Sequence, residues 1–272
     1  MNPDEWEKRL LAATAKVQAK VAVLASNEGR NRSVGVGASG DKTILADKAA
    51  EDILLRSILG AGSIRVLSEE AGAVGEEGAE LLAVIDPLDG SSNFESGIPF
   101  YCTSVAIVEG PSTEVTFGLV RDLVSGDVYL ARKGIGATKN GKPIRTSKAT
   151  DLSTAVVGVD LSRSPTSQLN SLARLISGAK RVVHLGANAL EVCYLAEGRT
   201  DAFVDLRGRI RVTDFAAAWL IAREAGASIT GPAGEDIEVE FDLQHRLSFV
   251  ASANRDLHSR LLELLHSSKG RA

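Results

Sequence analysis

Residues 81–94, LLAVIDPLDGSSNF, constrain the fold and the chemistry of this chain more than any other segment. The aliphatic residues 81–85 are typical of a strand that is buried on both faces. We expect Pro87 to end this strand, because proline cannot donate a hydrogen bond to the ladder. Asp86 and Asp89 then lie close together at the strand end. Two such carboxylates repel each other, and binding of a hard cation would relieve that repulsion.

A glycine and two hydroxyl side chains follow this acidic pair. Gly90 allows the backbone to approach a ligand closely, and Ser91 or Ser92 is suited to capping a helix that begins there. Free N–H groups at a helix start favour an anion, and phosphate is the obvious candidate. The alternative is an Asx turn and a helix cap without any chemistry. The D-x-x-D-G pattern alone does not separate these two interpretations.

The composition is that of an ordinary globular protein. The chain has 272 residues, of which 44% are hydrophobic and 24% are charged. A net charge of −4 gives no reason to expect a nucleic acid or an anionic membrane as partner. The sequence contains no apolar run of membrane-spanning length, and its N-terminus does not resemble a signal peptide. Cys102 and Cys193 are too few for a disulfide framework. We therefore predict a cytoplasmic protein.

Hydrophobic periodicity divides the chain into two parts. Helical spacing predicts helices over residues 4–27 and from Asp47 to Ile58, and β-like runs cover 64–67, 103–108, 115–120 and 128–131. Asn140-Gly141 is a strong hairpin signal. Strands and helices alternate from about Leu152 onward. This pattern predicts an α+β lobe over residues 1–152 fused to an α/β lobe over 153–272, with a site in the cleft between them.

Other carboxylates stand at the predicted ends of further elements, namely Asp47, Glu69, Glu70 and Asp214. Taken singly, each has a structural explanation. Asp47 would interact with the helix dipole in a first turn, Glu69 and Glu70 would form a solvated pair, and Asp214 would simply follow a capping Thr213. If strand 64–67 neighbours strand 81–85 in one sheet, however, Glu69 and Glu70 reach the same point as Asp86 and Asp89.

This set of carboxylates and its surroundings resembles the inositol monophosphatase family of magnesium-dependent sugar phosphatases. The matching segments lie in order between Asp41 and Gly226 and read DKTILADKAAE, SEEAG, IDPLDGSSNF, GIPF and TDFAAAWLIAREAG. The GIPF and RIRVTD segments are similar to the archaeal branch, whose members commonly dephosphorylate inositol 1-phosphate and fructose 1,6-bisphosphate. The resemblance implies a layered α/β fold, an alternating α-β-α-β-α sandwich.

The resemblance also implies roles for individual residues. The ligands of two or three Mg²⁺ ions would be Glu69, Asp86, the carbonyl of Leu88, Asp89 and Asp214. Asp47 and Ser91 match the pair that orients and deprotonates the attacking water. Residues assigned to the substrate are Gly90, Ser91 and Ser92 for the phosphate, and Gly186, Ala187, Asn188 and Asp205 for the sugar hydroxyls. The implied reaction is hydrolysis by metal-activated water, without a phosphoenzyme.

The roles of two groups of basic residues, in the loop at 28–43 and ahead of Asp214, are not assigned by these motifs. Any of Arg30, Arg32 or Lys42 could be the basic residue of the loop at 28–43, for which we predict a mobile loop or a broken hairpin. In that loop Ser39 replaces an acid that is frequent in archaeal relatives, with Asp41 as a nearby substitute for a third metal. Arg207, Arg209 and Arg211 alternate ahead of Asp214, and in an extended segment they would share one face. We expect Arg207 to hold a second phosphate, and the alternative is a solvated charged stretch.

The expected partner is a small phosphorylated sugar or polyol, and a homodimer is expected because family members are often dimers. Two other functions fit less well. One is a phosphatase of the same fold that acts on a nucleotide such as 3′-phosphoadenosine 5′-phosphate, although the chain lacks obvious added loops for an adenine. The other is a non-catalytic sugar-phosphate-binding protein, although Asp47, Glu69 and Asp214 are all present.

Overall fold

The computed structural model describes residues 3–26, 30–110 and 114–266. The α-helices in these ranges are α1 (Pro3–Ala25), α2 (Leu45–Leu59), α3 (Ser91–Ser96), α4 (Thr166–Gly178), α5 (Asn188–Ala196), α6 (Val212–Ala225) and α7 (Arg255–His266). A 3₁₀ helix spans Leu152–Thr154. None of the helices in the described part of the chain combines the length and the apolar character needed to cross a bilayer.

The strands up to the middle of the chain are β1 (Ser33–Val36), β2 (Lys42–Ile44), β3 (Arg65–Ser68), β4 (Gly72–Gly75), β5 (Leu81–Asp89), β6 (Cys102–Glu109), β7 (Glu114–Asp122), β8 (Val128–Arg132), β9 (Gly136–Lys139) and β10 (Lys142–Pro143). The remaining strands are β11 (Val156–Val159), β12 (Arg181–Val183), β13 (Ala202–Ile210), β14 (Ser228–Thr230) and β15 (Leu247–Ser252). Asn140 and Gly141 form the predicted turn between β9 and β10, both with positive φ.

Two main sheets carry the fold. Eight strands are ordered β10-β9-β8-β7-β6-β5-β3-β4, and five are ordered β12-β11-β13-β15-β14. Strand β3 is a neighbour of β5 in one sheet, as the sequence suggested, and the two pair in parallel, so both strands direct their carboxyl ends to the same edge. The predicted broken hairpin is β1 paired with β2. Residues 27–29, which include the predicted end of the first helix, lie outside the described residues.

Helices and sheets alternate in five layers. Leu10 of α1 and Leu54 of α2 pack in one core with Ile85 of the larger sheet. Helices α5 and α6 lie between the sheets and share a core with residues of both, such as Ala106 and Phe203. Helices α4 and α7 pack against the other face of the smaller sheet. The order is α-β-α-β-α, which confirms the predicted fold class.

The alanine-rich helix α6 approaches the larger sheet closely. A Cβ at Gly118 of β7 would lie 2.7 Å from the carbonyl oxygen of Ala217, so this approach of the strand to the helix backbone requires glycine in the strand. Ala216, Ala217 and Ala218 are all buried here. The chain leaves the larger sheet at Pro143 and enters the smaller one at Val156. The boundary at residues 152 and 153 stays a prediction, since α5 and α6 pack on both sheets. We call residues 1–152 the first lobe and residues 153–272 the second lobe.

Pro87 does not end its strand, so that prediction is wrong. Strand β5 continues to Asp89, with Asp86 paired to Ser104 and Asp89 paired to Cys102. Three steps on β5 therefore oppose two on β6, which is a β-bulge. A bulge tolerates a proline, because one residue there needs no ladder partner.

Two predicted helix caps also differ from the structure. Helix α3 begins at Ser91, but its N-cap is Gly90 in a left-handed conformation, with no side-chain capping bond. The N-cap of α6 is Arg211. Thr213 lies inside α6, where its hydroxyl donates to Asp214 Oδ1 at 3.0 Å. The hydroxyl therefore orients a carboxylate, and the alternative of a capping Thr213 does not apply.

Candidate active site

Strand β5 carries two buried carboxylates at its carboxyl end. Asp86 Oδ1 accepts a hydrogen bond from the N–H of Leu88 at 2.9 Å, and Asp89 Oδ2 accepts one from the N–H of Ala189 at 2.7 Å. Burial, and next the charge of Asp214, raise the pKa of both carboxyl groups well above the usual range. Each group is therefore costly to ionise without a nearby positive charge.

The other two predicted carboxylate ligands lie on different lobes. Asp214 is in the first turn of α6, and Glu69 directly follows β3. The guanidinium of Arg211 pairs with Glu69, lies 2.7 Å from Asp41 Oδ2, and brings its Nε to 3.9 Å from Asp214 Oδ2. One arginine of the second lobe thus joins carboxylates of both lobes.

The donor chemistry of these residues fits a hard cation. Asp86 and Asp89 are buried oxygen donors, and the side-chain hydrogen bonds they accept in the described chain come from backbone N–H groups and the Cys102 thiol. As the side chains stand, no three Asp, Glu, His or Cys groups among the described residues are arranged to hold a metal ion. Glu69 is turned toward Arg211. The oxygen set suits Mg²⁺, but Glu69 would have to exchange its arginine partner for the ion.

Asp47 occupies the first turn of α2, where its Oδ2 accepts a hydrogen bond from the N–H of Ile44 at 2.7 Å. Burial, opposed by this bond and aided by Glu70 and Glu95, raises the pKa of its carboxyl group to about 7. A carboxyl group with such a pKa is divided between its two protonation states near neutral pH. It is therefore suited to accept a proton.

The backbone at Gly90 has little room for a side chain. Its φ is +89°, and a Cβ would lie 3.0 Å from both Ala187 Cβ and the carbonyl oxygen of Phe100. Glycine therefore allows the first turn of α3 to sit against the loop before α5. Ser91 and Ser92, the next two residues, line a cavity that Asp160 and Arg246 also line.

This cavity has a volume of about 610 Å³, which is in the range of small-molecule sites. Six of the predicted site residues line it, namely Glu69, Ser91, Ser92, Asn188, Arg207 and Asp214. Asp47, Asp86 and Asp89 are buried. Asn188 Oδ1 is buried and has no hydrogen-bond partner among the described residues, so it is an acceptor that still lacks a donor.

The loop before α5 is held by an acid that the sequence alone did not indicate. Glu191 Oε1 accepts hydrogen bonds from the N–H groups of Leu185 and Gly186 at 3.1 and 2.9 Å. Gly186 itself has φ +83°. Helix α5 therefore fixes the turn that precedes it, where Gly186 and Ala187 were assigned to the substrate.

Asn93 is a second residue that the sequence alone did not indicate. Its Nδ2 donates to the carbonyl oxygens of Phe100 at 2.8 Å and Leu185 at 2.7 Å. The bond to Leu185 crosses from the first lobe to the second. The only available signal was its place in the segment SSNF, directly after the two serines, and a single asparagine there does not reveal its partners.

Arg207 and Asp205 are engaged with each other, contrary to the role we expected for the arginine. Asp205 is fully buried, and its Oδ2 lies 2.9 Å from Arg207 Nε and 2.5 Å from Nη2. Arg207 Nη2 also lies 2.6 Å from Asp160 Oδ2, and Nη1 donates to the carbonyl of Ser162. Its side chain is only 8% exposed. This fork is occupied by carboxylates, so it is poorly placed to receive a phosphate.

The glycine-rich hairpin brings one of its three basic residues to the cavity. Lys42 lines the cavity and pairs with Glu95 of α3. Arg30 lies over the ring of Phe94, 5.8 Å from its centroid. Ser39 Oγ lies 3.4 Å from Glu69 Oε1. Of the three candidates, Lys42 is the one found on the cavity wall.

A model of the inositol monophosphatase family matches residues 4–269. A fructose-1,6-bisphosphatase/inositol-1-monophosphatase of Methanothermobacter thermautotrophicus is 35% identical, over 96% of each chain. A protein of the same name from Thermococcus kodakarensis is 34% identical, over 96% of this chain and 97% of that one. A solved structure from Pyrococcus horikoshii, with similarities to inositol-1 monophosphatase, has a TM-score of 0.83 and 30% identity, covering 98% of this chain and 99% of that one.

These matches extend over nearly the whole chain and include all the residues that line the cavity. They confirm the resemblance seen in the sequence motifs and the expected class of activity, the hydrolysis of phosphate monoesters. The chain belongs to the inositol monophosphatase family.

Proposed function

We propose that this chain is a magnesium-dependent phosphatase that hydrolyses inositol 1-phosphate and fructose 1,6-bisphosphate. The names of the two archaeal relatives support both substrates. The observation that carries the proposal is the meeting of carboxylates from two lobes at one cavity. Asp89 of β5 is bonded to the start of α5, while Glu69 and Asp214 share Arg211 on the cavity wall.

In this proposal Glu69, Asp86, Asp89, Asp214 and the carbonyl of Leu88 hold two or three magnesium ions. Bound magnesium supplies positive charge to the phosphate oxygens and makes water more acidic. The raised pKa values of Asp86 and Asp89 support this assignment, because a cation is what favours the ionised form of two buried neighbours.

The protein's own groups have separate tasks. Asp47 accepts the proton of the attacking water, for which a pKa of about 7 is suitable. Ser91 orients that water through its hydroxyl, and the backbone N–H groups near Gly90 and Ser92 bind the phosphate. Asn188 Oδ1, which has no partner among the described residues, accepts a bond from a hydroxyl of the substrate. Asp205 supports the cavity wall by holding Arg207.

The test is phosphate release from both substrates by the wild type and by Asp89→Asn. We expect activity only with added magnesium and a near-complete loss in the variant, because an amide is a weaker ligand and removes one charge. Asp236→Asn makes the same exchange at an exposed residue and should retain activity. Activity of the wild type in excess chelator, or of Asp89→Asn in magnesium, would contradict the proposal.

The same assay separates the alternatives. A nucleotide phosphatase would prefer 3′-phosphoadenosine 5′-phosphate to both sugar substrates. A binding protein would take up inositol 1-phosphate in a calorimetric titration without releasing phosphate. We further propose a cytoplasmic homodimer, which rests on the composition and on the frequency of dimers in the family.

A further inference from the structure

Six basic side chains line the cavity, and three of them are already paired with carboxylates. The six are Lys42, Arg163, Arg207, Arg209, Arg211 and Arg246. Lys42 pairs with Glu95, Arg207 with Asp205 and Asp160, and Arg211 with Asp41 and Glu69. Half of the basic side chains are therefore neutralised by carboxylates.

The other three arginines lack such partners. Arg163, Arg209 and Arg246 form no ion pair with any carboxylate among the residues that the structure describes. Arg163 and Arg209 are exposed, whereas Arg246 is half-buried and donates through Nη1 to the carbonyls of Leu243 and His245. Six carboxylates also line the cavity, so it is not basic as a whole. The attraction for an anion is local to the three guanidinium groups that have no carboxylate partner.

Two of these arginines, Arg209 and Arg163, stand at unusual places in the backbone. The pairing of β13 with β15 breaks between Asp205 and Ile210, and Gly208 within this break has φ +64° and donates to Ser248 Oγ at 2.7 Å. Arg209 follows that glycine directly. Arg163 has φ +58°, a conformation that residues other than glycine adopt rarely and that is often found at functional sites.

All three arginines belong to the second lobe. Arg163 follows β11, Arg209 lies in β13, and Arg246 precedes β15. Glu69, Ser91 and Ser92 face the same cavity from the first lobe. A substrate whose reacting phosphate lies at the serines would therefore extend its other end toward the arginines.

We propose that Arg209, aided by Arg163 and Arg246, binds the second phosphate of a bisphosphorylated sugar, the phosphate that is not cleaved. This rests on the proposed function, because the same cavity must take the reacting phosphate. A guanidinium offers paired N–H donors that match two phosphate oxygens. Arg209 is the exposed arginine that lies within the break in β13. The guanidinium of Arg207 is already paired with Asp205 and Asp160, so Arg207 supports the cavity wall instead.

The test compares two substrates that differ only in the second phosphate, fructose 1,6-bisphosphate and fructose 1-phosphate. Arg209→Gln should lower kcat/KM for the bisphosphate by about ten- to a hundredfold, mostly through KM, and leave fructose 1-phosphate and inositol 1-phosphate unchanged. Inhibition by fructose 6-phosphate, which carries only the second phosphate, should weaken by a similar factor. Arg209→Lys should lose less than Arg209→Gln on both measures, since lysine keeps the positive charge but not the paired donors of the guanidinium.

Arg181→Gln is the matched control, since it removes the same charge from an exposed residue of edge strand β12. It should leave all three substrates unaffected. Equal losses on mono- and bisphosphate in Arg209→Gln, or no loss on either, would overturn the proposal for the arginines. Failure of the wild type to release phosphate from inositol 1-phosphate with magnesium would instead contradict the proposed function, so the two failures are distinguishable.

Discussion

At the scale of single residues, Glu191 is unusual because its carboxyl group is buried and only one of the two oxygens accepts hydrogen bonds within the described chain. Its Oε1 holds the turn before α5, whereas Oε2 is buried without a hydrogen-bond partner among the described residues. Burial raises the pKa of this carboxyl group to about 7, although the two N–H groups favour its ionised form. The folded protein therefore retains a proton here that the unfolded chain loses at lower pH.

This difference predicts how stability depends on pH. Well below pH 4.5, the ordinary pKa of the group, it is protonated in both states. As the pH rises toward about 7 the folded state binds more protons than the unfolded one, so stability is lost over this window. The loss is about 3 kcal/mol in total. Glu191→Gln should escape it and gain stability over the wild type as the pH rises.

Urea unfolding of the wild type and Glu191→Gln at pH 5 and pH 8 measures this effect. The difference in unfolding free energy should be larger at pH 8. Glu263→Gln alters an exposed acid of α7 and should follow the wild type at both values. Parallel pH profiles for wild type and Glu191→Gln would show that the buried carboxyl group titrates normally.

At the scale of elements, the segment from β5 to α3 is the part that the sequence predicts most fully. Its aliphatic run indicated the strand, and its acids and serines indicated a ligand site. Pro87 misled the prediction of the strand end, because a bulge that accommodates proline depends on the register of β6, which lies outside the segment. One of the two partners of Asn93, Leu185, likewise lies far along the chain, 92 residues away.

Asn93→Ala should weaken the connection between α3 and the loop before α5. It removes two hydrogen bonds and leaves two carbonyl groups without their donor. We expect the free energy of unfolding to fall by about 1–3 kcal/mol, measured by thermal or urea unfolding. Ser92→Ala, at the exposed neighbouring residue, should leave stability unchanged. If the two variants are equally stable, Asn93 contributes nothing to holding the lobes.

At the scale of the whole molecule, periodicity is enough to predict the helices and most strands, because each element repeats its apolar residues at its own spacing. Short strands such as β14 have too few residues for such a signal. Ion pairs between lobes were also missed. Arg211 and Glu69 are 142 residues apart, and their pairing depends on the packing of two sheets. The pairing of Arg207 with Asp160 was missed for the same reason, because Asp160 follows a different strand.

The central claim is that one metal-dependent centre draws its ligands from both lobes. The most direct test is the magnesium concentration that gives half-maximal phosphate release from inositol 1-phosphate, compared between the wild type and Asp214→Asn. The carboxylate of Asp214 comes from α6, far in sequence from β5. We predict that the variant needs at least about tenfold more magnesium or loses activity, since tenfold corresponds to about 1.4 kcal/mol of binding. A wild-type magnesium dependence and rate in Asp214→Asn would contradict a centre shared by the two lobes.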